Sequence, residues 1–215
     1  MVAKAKKLVK RAFFEVRAPL ISTKIQLFGA SKEELVGRVV SLDLTRILRG
    51  KSLILSLKVI KQEDNLEGDP TRIELAGSYI RRMIRKGSDY IEESFIVDCK
   101  DAKATIKPYM ITRNKISRAV RAEIRNEVRK YIESYAKART IKELMSDIIS
   151  NKIQKELSLK AKKIYPLALC EIRIFEILTE AELKRIAEKK EEKASRKAEE
   201  NVHSVPEEKK QDKKE

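Results

Sequence analysis

The stretch Ala104–Lys137, ATIKPYMITRNKISRAVRAEIRNEVRKYIESYAK, decides the fold class, because its apolar period changes partway along. Residues 104–112 are rich in aromatic and β-branched side chains and read as a strand. From Asn114 to about Lys137 the period is helical. Ile116, Val120, Ile124, Val128, Tyr131, Ile132 and Tyr135 recur at spacings of three and four. A strand feeding a long amphipathic helix predicts an α+β fold.

That helix also separates its charges by sign. At roughly 100° per residue, Arg118, Arg121, Arg125 and Arg129 form a second stripe about a quarter-turn from the apolar one. Glu123 and Glu127 fall on the opposite flank. A helix built for solubility alone would mix Glu and Lys as i,i+4 pairs. Arginine binds phosphate bidentately and stacks on bases, so the stripe, with Arg113 just before it, is expected to contact RNA. The competing reading pairs these guanidinium groups with carboxylates elsewhere in the fold.

Upstream, the chain reads mainly as short strands. Phe13, Phe14 and Val16 precede Pro19, and both phenylalanines are expected in the core rather than on a base-stacking platform. Strands are predicted at residues 23–28, 39–44, 52–60, 72–76 and 90–98, with a turn at residues 29–31. Residues 65–70 carry Gly68, Asp69 and Pro70 and read as a loop. This spacing predicts an antiparallel, barrel-like core. A short helix over residues 78–86 turns Tyr79, Ile80, Met83 and Ile84 inward and Arg81, Arg82, Arg85 and Lys86 outward, with Gly87 as its stop.

Downstream, Thr140 and Glu143 have capping-box spacing before a second long helix, residues 140–157. Residues 164–178 return to strand composition as a nearly continuous apolar run, expected to be buried on both faces. The predicted architecture is therefore a β core with two longer flanking helices, a short basic helix and a charged tail. Its parts are a basic arm at 1–11, one α+β body at 12–178 and a Lys/Glu-rich tail at 179–215. The tail reads as disordered, apart from a helical turn near Leu183 and Ile186.

Charge narrows the partner class. The 215 residues carry a net charge of +16. From Glu180 onward eleven basic residues meet eleven acidic ones, so the whole excess lies before the tail. A body that repels itself this strongly needs an anionic partner, and nucleic acid is the natural one. Lys4, Lys6, Lys7, Lys10 and Arg11 add an acid-free arm at the N-terminus.

Catalysis finds little support. The single histidine, His203, lies in the tail, which argues against triads and imidazole-ligated zinc. No phosphate loop, dinucleotide fingerprint or CxxC motif occurs. Cys99 and Cys170 are too few for a disulfide framework or a metal site, which predicts a reducing cytoplasm. No apolar run approaches a membrane span, and the basic N-terminus lacks the apolar segment of a secretory signal. Neither a metal nor a cofactor is expected.

Four segments, in order, carry a family resemblance: FFEVRAPLI (13–21), GRVVSLDLTRIL (37–48), KATIKPYMITRNKISRAVRAEIRNEVRK (103–130) and KIYPLALCEIRIFEI (163–177). Together they resemble the archaeal and eukaryotic small-ribosomal-subunit proteins of the S-three-a-e family, also called S-one in the eukaryotic-type naming. The resemblance implies a structural component of the small subunit, on its platform near the mRNA exit. It further implies small-subunit ribosomal RNA and neighbouring ribosomal proteins as partners, with mRNA close by, and no active-site residues. The alternative is a non-ribosomal RNA-binding chaperone or scaffold, which shares the basic surfaces.

Overall fold

The computed structural model describes residues 11–62, 65–179 and 181–185. In chain order the strands are β1 (Ala12–Ala18), β2 (Thr23–Gly29), β3 (Val39–Asp43), β4 (Leu53–Gln62), β5 (Asn65–Leu75), β6 (Tyr90–Glu92), β7 (Phe95–Asp98), β8 (Lys103–Thr112) and β9 (Leu167–Ile177). The helices are α1 (Lys32–Leu35), α2 (Gly77–Met83), α3 (Arg118–Lys137), α4 (Ile141–Ile149) and α5 (Lys152–Ala161). Residues 1–177 and 178–215 are separate compact units.

Two long antiparallel strand pairs, the hairpin β4–β5 and the pair β8–β9, form the spine of one nine-stranded sheet. They meet where Arg72–Glu74 of β5 pairs antiparallel with Ile174–Glu176 of β9. The other half of that β5 edge pairs with β1, in parallel, at Val16↔Leu66 and Arg17↔Glu67. β5 therefore divides one edge between two strands, and the sheet branches instead of curling round on itself. Among the described residues β2 pairs only with β1, and β3 only with β4. The expected antiparallel, barrel-like core holds in part: the strands are mostly antiparallel, but the sheet is not closed, and the β1–β5 pairing is parallel.

Residues 65–70 are strand, not loop. β4 and β5 pair as far as Gln62↔Asn65, and a bulge opposite Ser56/Leu57 accommodates Pro70, which has no N–H for the ladder. Gly68 fits because a Cβ there would lie 3.1 Å from Leu57 Cδ1, tighter than side chains normally pack. Pro108 in β8 follows the same rule, with a register shift between Lys107 and Pro108. The predicted strand at 90–98 is two strands, β6 and β7, laid along successive halves of β8.

Alternation along β1 and β2 buries Val16 and Ala18 and turns Phe13 outward, 70% exposed. The expectation that both phenylalanines enter the core fails for Phe13. Phe14 does pack, beside a small cluster of Val16, Leu35, Val59 and Leu66. The main core lies over β4, β5, β8 and β9, where Leu55, Ile73, Ile106, Tyr109 and Phe175 meet Ile124 and Val128 of α3 and Leu144, Ile148 and Leu157 of α4 and α5.

The predicted second long helix is two helices. Asn151 sits between them in the left-handed region (φ +60°), and its Oδ1 accepts from buried Lys51 Nζ at 2.5 Å. The capping box is present as expected: Thr140 Oγ1 accepts from the Glu143 N–H, and the Glu143 carboxylate accepts from the Thr140 N–H. In the second unit, residues 181–185 form a helical turn whose start is held by the Thr179 N–H and hydroxyl donating to Glu182, each at 2.9 Å. Ile186 and the residues after it lie outside the described residues.

Candidate nucleic-acid interface

A buried threonine places the start of α3. The Thr112 N–H donates to the Asp89 carbonyl (3.0 Å), the Asp89 N–H donates to Thr112 Oγ1 (3.0 Å), and that hydroxyl donates to the Asn114 carbonyl (2.7 Å). Asp89 Oδ2 accepts from the Ile116 N–H at 2.8 Å. These bonds hold residues 113–117 in non-helical form, so α3 begins at Arg118, with Ser117 as its N-cap, and not at Asn114. They also tie the start of α3 to the segment just after α2. There Gly87 (φ +91°) turns the chain and Ser88 Oγ donates to the Arg85 carbonyl at 2.7 Å. Arg85, Lys86, Arg113 and Arg118 thus flank one knot of chain.

Beside this knot, Arg118, Arg121 and Arg125 line an open groove of about 440 Å³ together with Tyr90, Ile91 and Glu92 of β6. The acids in and around the groove are already engaged. Glu92 accepts from Arg173 at 2.6 Å with one oxygen and from the Tyr90 hydroxyl at 2.7 Å with the other. Burial, then the bond to Glu92, pushes the Tyr90 phenol up to about 12, which keeps it a donor. Asp89 holds the Ile116 amide and lies 4.0 Å from Arg121 Nε, within ion-pair range but beyond a hydrogen bond. Arg118 and Arg125 are exposed and make no ion pair among the described residues.

Arg129 differs from the other three. It pairs with Glu93 at 2.6 Å and lies 5.3 Å above the Phe95 ring, which anchors α3 to β7. The stripe read from helical periodicity therefore divides. Arg118 and Arg125 face outward, Arg121 is half-buried beside Asp89, and Arg129 serves the fold.

The remaining predicted residues that the structure describes are exposed. Arg81 donates to the Gly77 carbonyl at 3.4 Å, and Arg82 lies 5.8 Å from the Tyr79 ring centroid. Because α2 ends at Met83, Arg85 and Lys86 lie beyond the helix. Met83 and Ile84, expected inward, are 37% and 42% exposed. Arg11 and Arg113 are exposed, while Lys4, Lys6, Lys7 and Lys10 lie outside the described residues. Asp89 and Thr112 escaped the sequence reading. Their role is positional, and no periodicity marks a residue that bonds across 23 positions.

Sequence comparison adds kinship to this geometry. The profile of the Ribosomal S3Ae family matches residues 3–181. The chain is 28% identical to small ribosomal subunit protein eS1 of Nanoarchaeum equitans over 175 residues, covering 77% of this chain and 88% of that protein. It is 31% identical to the protein of the same name from Desulfurococcus amylolyticus over 173 residues, covering 75% and 80%. The four resembling segments all lie inside the matched span. The chain belongs to the Ribosomal S3Ae family, as an archaeal ribosomal protein whose part in translation is structural and not enzymatic.

Proposed function

We propose that the protein is held in the small ribosomal subunit by the cationic face around the start of α3, which engages phosphates of small-subunit ribosomal RNA. The observation that carries this reading is the state of the carboxylates. Glu92 and Asp89 are engaged by Arg173, Tyr90, Ile116 and Arg121, leaving Arg118 and Arg125 turned to solvent without a counter-charge among the described residues. Releasing condensed counterions from the RNA would supply much of the affinity, and RNA shape and 2′-hydroxyls most of the selectivity.

In this reading Arg85, Lys86 and Arg113 extend the face around the knot, Arg81 and Arg82 continue it along α2, and the arm from Lys4 to Arg11 adds a separate contact. The open sheet and its helices act as a rigid spacer that fixes where the charges stand. The family resemblance supports a position on the platform near the mRNA exit, with neighbouring ribosomal proteins against the remaining surface. The working location is then ribosome-bound in the cytoplasm. No helix among the described residues is long and apolar enough to cross a membrane.

Sucrose-gradient fractionation of a lysate containing the tagged full chain tests the proposal. Recovery in the small-subunit peak at moderate salt is expected, with R118A/R125A shifted toward the top of the gradient. Wild-type protein found only with free RNA would identify a chaperone instead. Complexes that survive nuclease treatment would identify a protein scaffold.

A further inference from the structure

A second surface, formed by β1, β2 and the start of β3 and sharing no lining residue with the groove at α3, has a different chemistry. Phe13 of β1 and Phe28 of β2 are directly opposed in the ladder, 70% and 48% exposed, with ring centroids 5.1 Å apart. Burying this pair inside the fold would have required only the other strand parity, since Phe14 and Leu27 next to them turn inward. The two rings help line an open groove of about 640 Å³ beside β2 and β3, together with Val39 and the cations Arg11 and Arg38. The one acid lining it among the described residues, Glu34, accepts from the Ala30 amide at 2.9 Å.

We infer that this groove binds unpaired nucleotides of a single-stranded RNA segment, whose bases stack on Phe13 and Phe28 while Arg11 and Arg38 meet the flanking phosphates. Exposed aromatic rings on adjacent strands, with cations at the margin, match the requirements of sequence-tolerant base stacking. Charge complementarity favours this occupant: an apolar protein neighbour would press Arg11 and Arg38 into a dry contact in which Glu34, the acid lining the groove among the described residues, already accepts from the Ala30 amide. A duplex is a poorer match, because its bases are already stacked on one another and have no free face to offer the two rings. The site is separate from the face at α3 and does not require that face to bind the same RNA.

The chain contains no tryptophan, so F13W introduces a single fluorescent reporter into the lining of the groove. The probes are a single-stranded RNA decamer and the same sequence as a duplex, each titrated against the full-length protein. F13W is expected to keep wild-type affinity for the decamer, with its emission quenched on binding. F13A/F28A is expected to lose about tenfold in affinity for the decamer and little for the duplex. The slope of log affinity against log salt should stay unchanged, because stacking releases no counterions. Unchanged decamer affinity in F13A/F28A, or unquenched emission in F13W, overturns the inference. So would an F13A/F28A protein that keeps the decamer but loses a protein neighbour when small subunits are reconstituted. Because both side chains are exposed, their truncation leaves the core intact, and R118A/R125A serves as the control that fails independently.

Discussion

Lys51 lies in the core with 8% of its side chain exposed, 2.5 Å from the Glu171 carboxylate and 2.5 Å from Asn151 Oδ1. Nothing local in the sequence marks it, since a lysine between two predicted strands reads as a surface residue. Its burial depends on partners 100 and 120 positions away. Desolvation raises the Glu171 pKa, and Lys51 offsets part of that rise. Removing the lysine alone leaves a buried carboxylate without a counter-charge, so K51M should destabilise the fold by about 3–5 kcal/mol in urea titrations at neutral pH. K51M/E171L, which removes both charges, should recover most of that loss. The pH dependence follows from the raised pKa. A carboxyl with a folded pKa above its unfolded value favours folding at low pH and loses that contribution as pH rises through the folded pKa. The K51M deficit should accordingly be smaller at pH 4 than at pH 8. A K51M protein as stable as the double variant at both pH values would show that the pair is not the buried unit described here.

Among the elements, those with a strong local signal were legible and those set by tertiary pairing were not. The Thr140–Glu143 capping box and the apolar stripe of α3 were read from spacing, and both are present. T140A should therefore cost about 1 kcal/mol in thermal or urea unfolding, while T140S should cost little. An unaffected T140A would mean that α4 is held by packing alone. The break between α4 and α5 was not legible, because it is produced by Asn151 reaching Lys51 in another part of the chain. Buried Asp147 reinforces the corner by accepting from Tyr135 and Arg139 and lying 3.4 Å from Lys152. Gly68, Asp69 and Pro70 misled for the opposite reason. Turn-forming residues lie within β5 because β4 pairs along its length and a bulge takes the proline. Strand existence was thus readable from alternation, whereas sheet closure depended on how β5 divides its edge, which alternation does not encode.

For the whole molecule, the excess positive charge was visible in the composition, and its placement was visible in part. Helical periodicity grouped four arginines, but only the folded chain separates Arg118 and Arg125, turned to solvent, from Arg129, tied to Glu93. The exposed Phe13–Phe28 pair was missed because outward and inward faces of a two-residue aromatic run look alike until the strand has a partner. One surface lies on β1, β2 and β3 and the other on α3, and the electrostatic one carries the central claim. Its most direct test is the salt dependence of binding between the full chain and a small-subunit ribosomal RNA fragment, compared with R118A/R125A. If the two arginines neutralise phosphates, the variant should bind more weakly and its slope of log affinity against log salt should fall by about 2. A variant with the same affinity and the same slope as the natural chain would contradict the account.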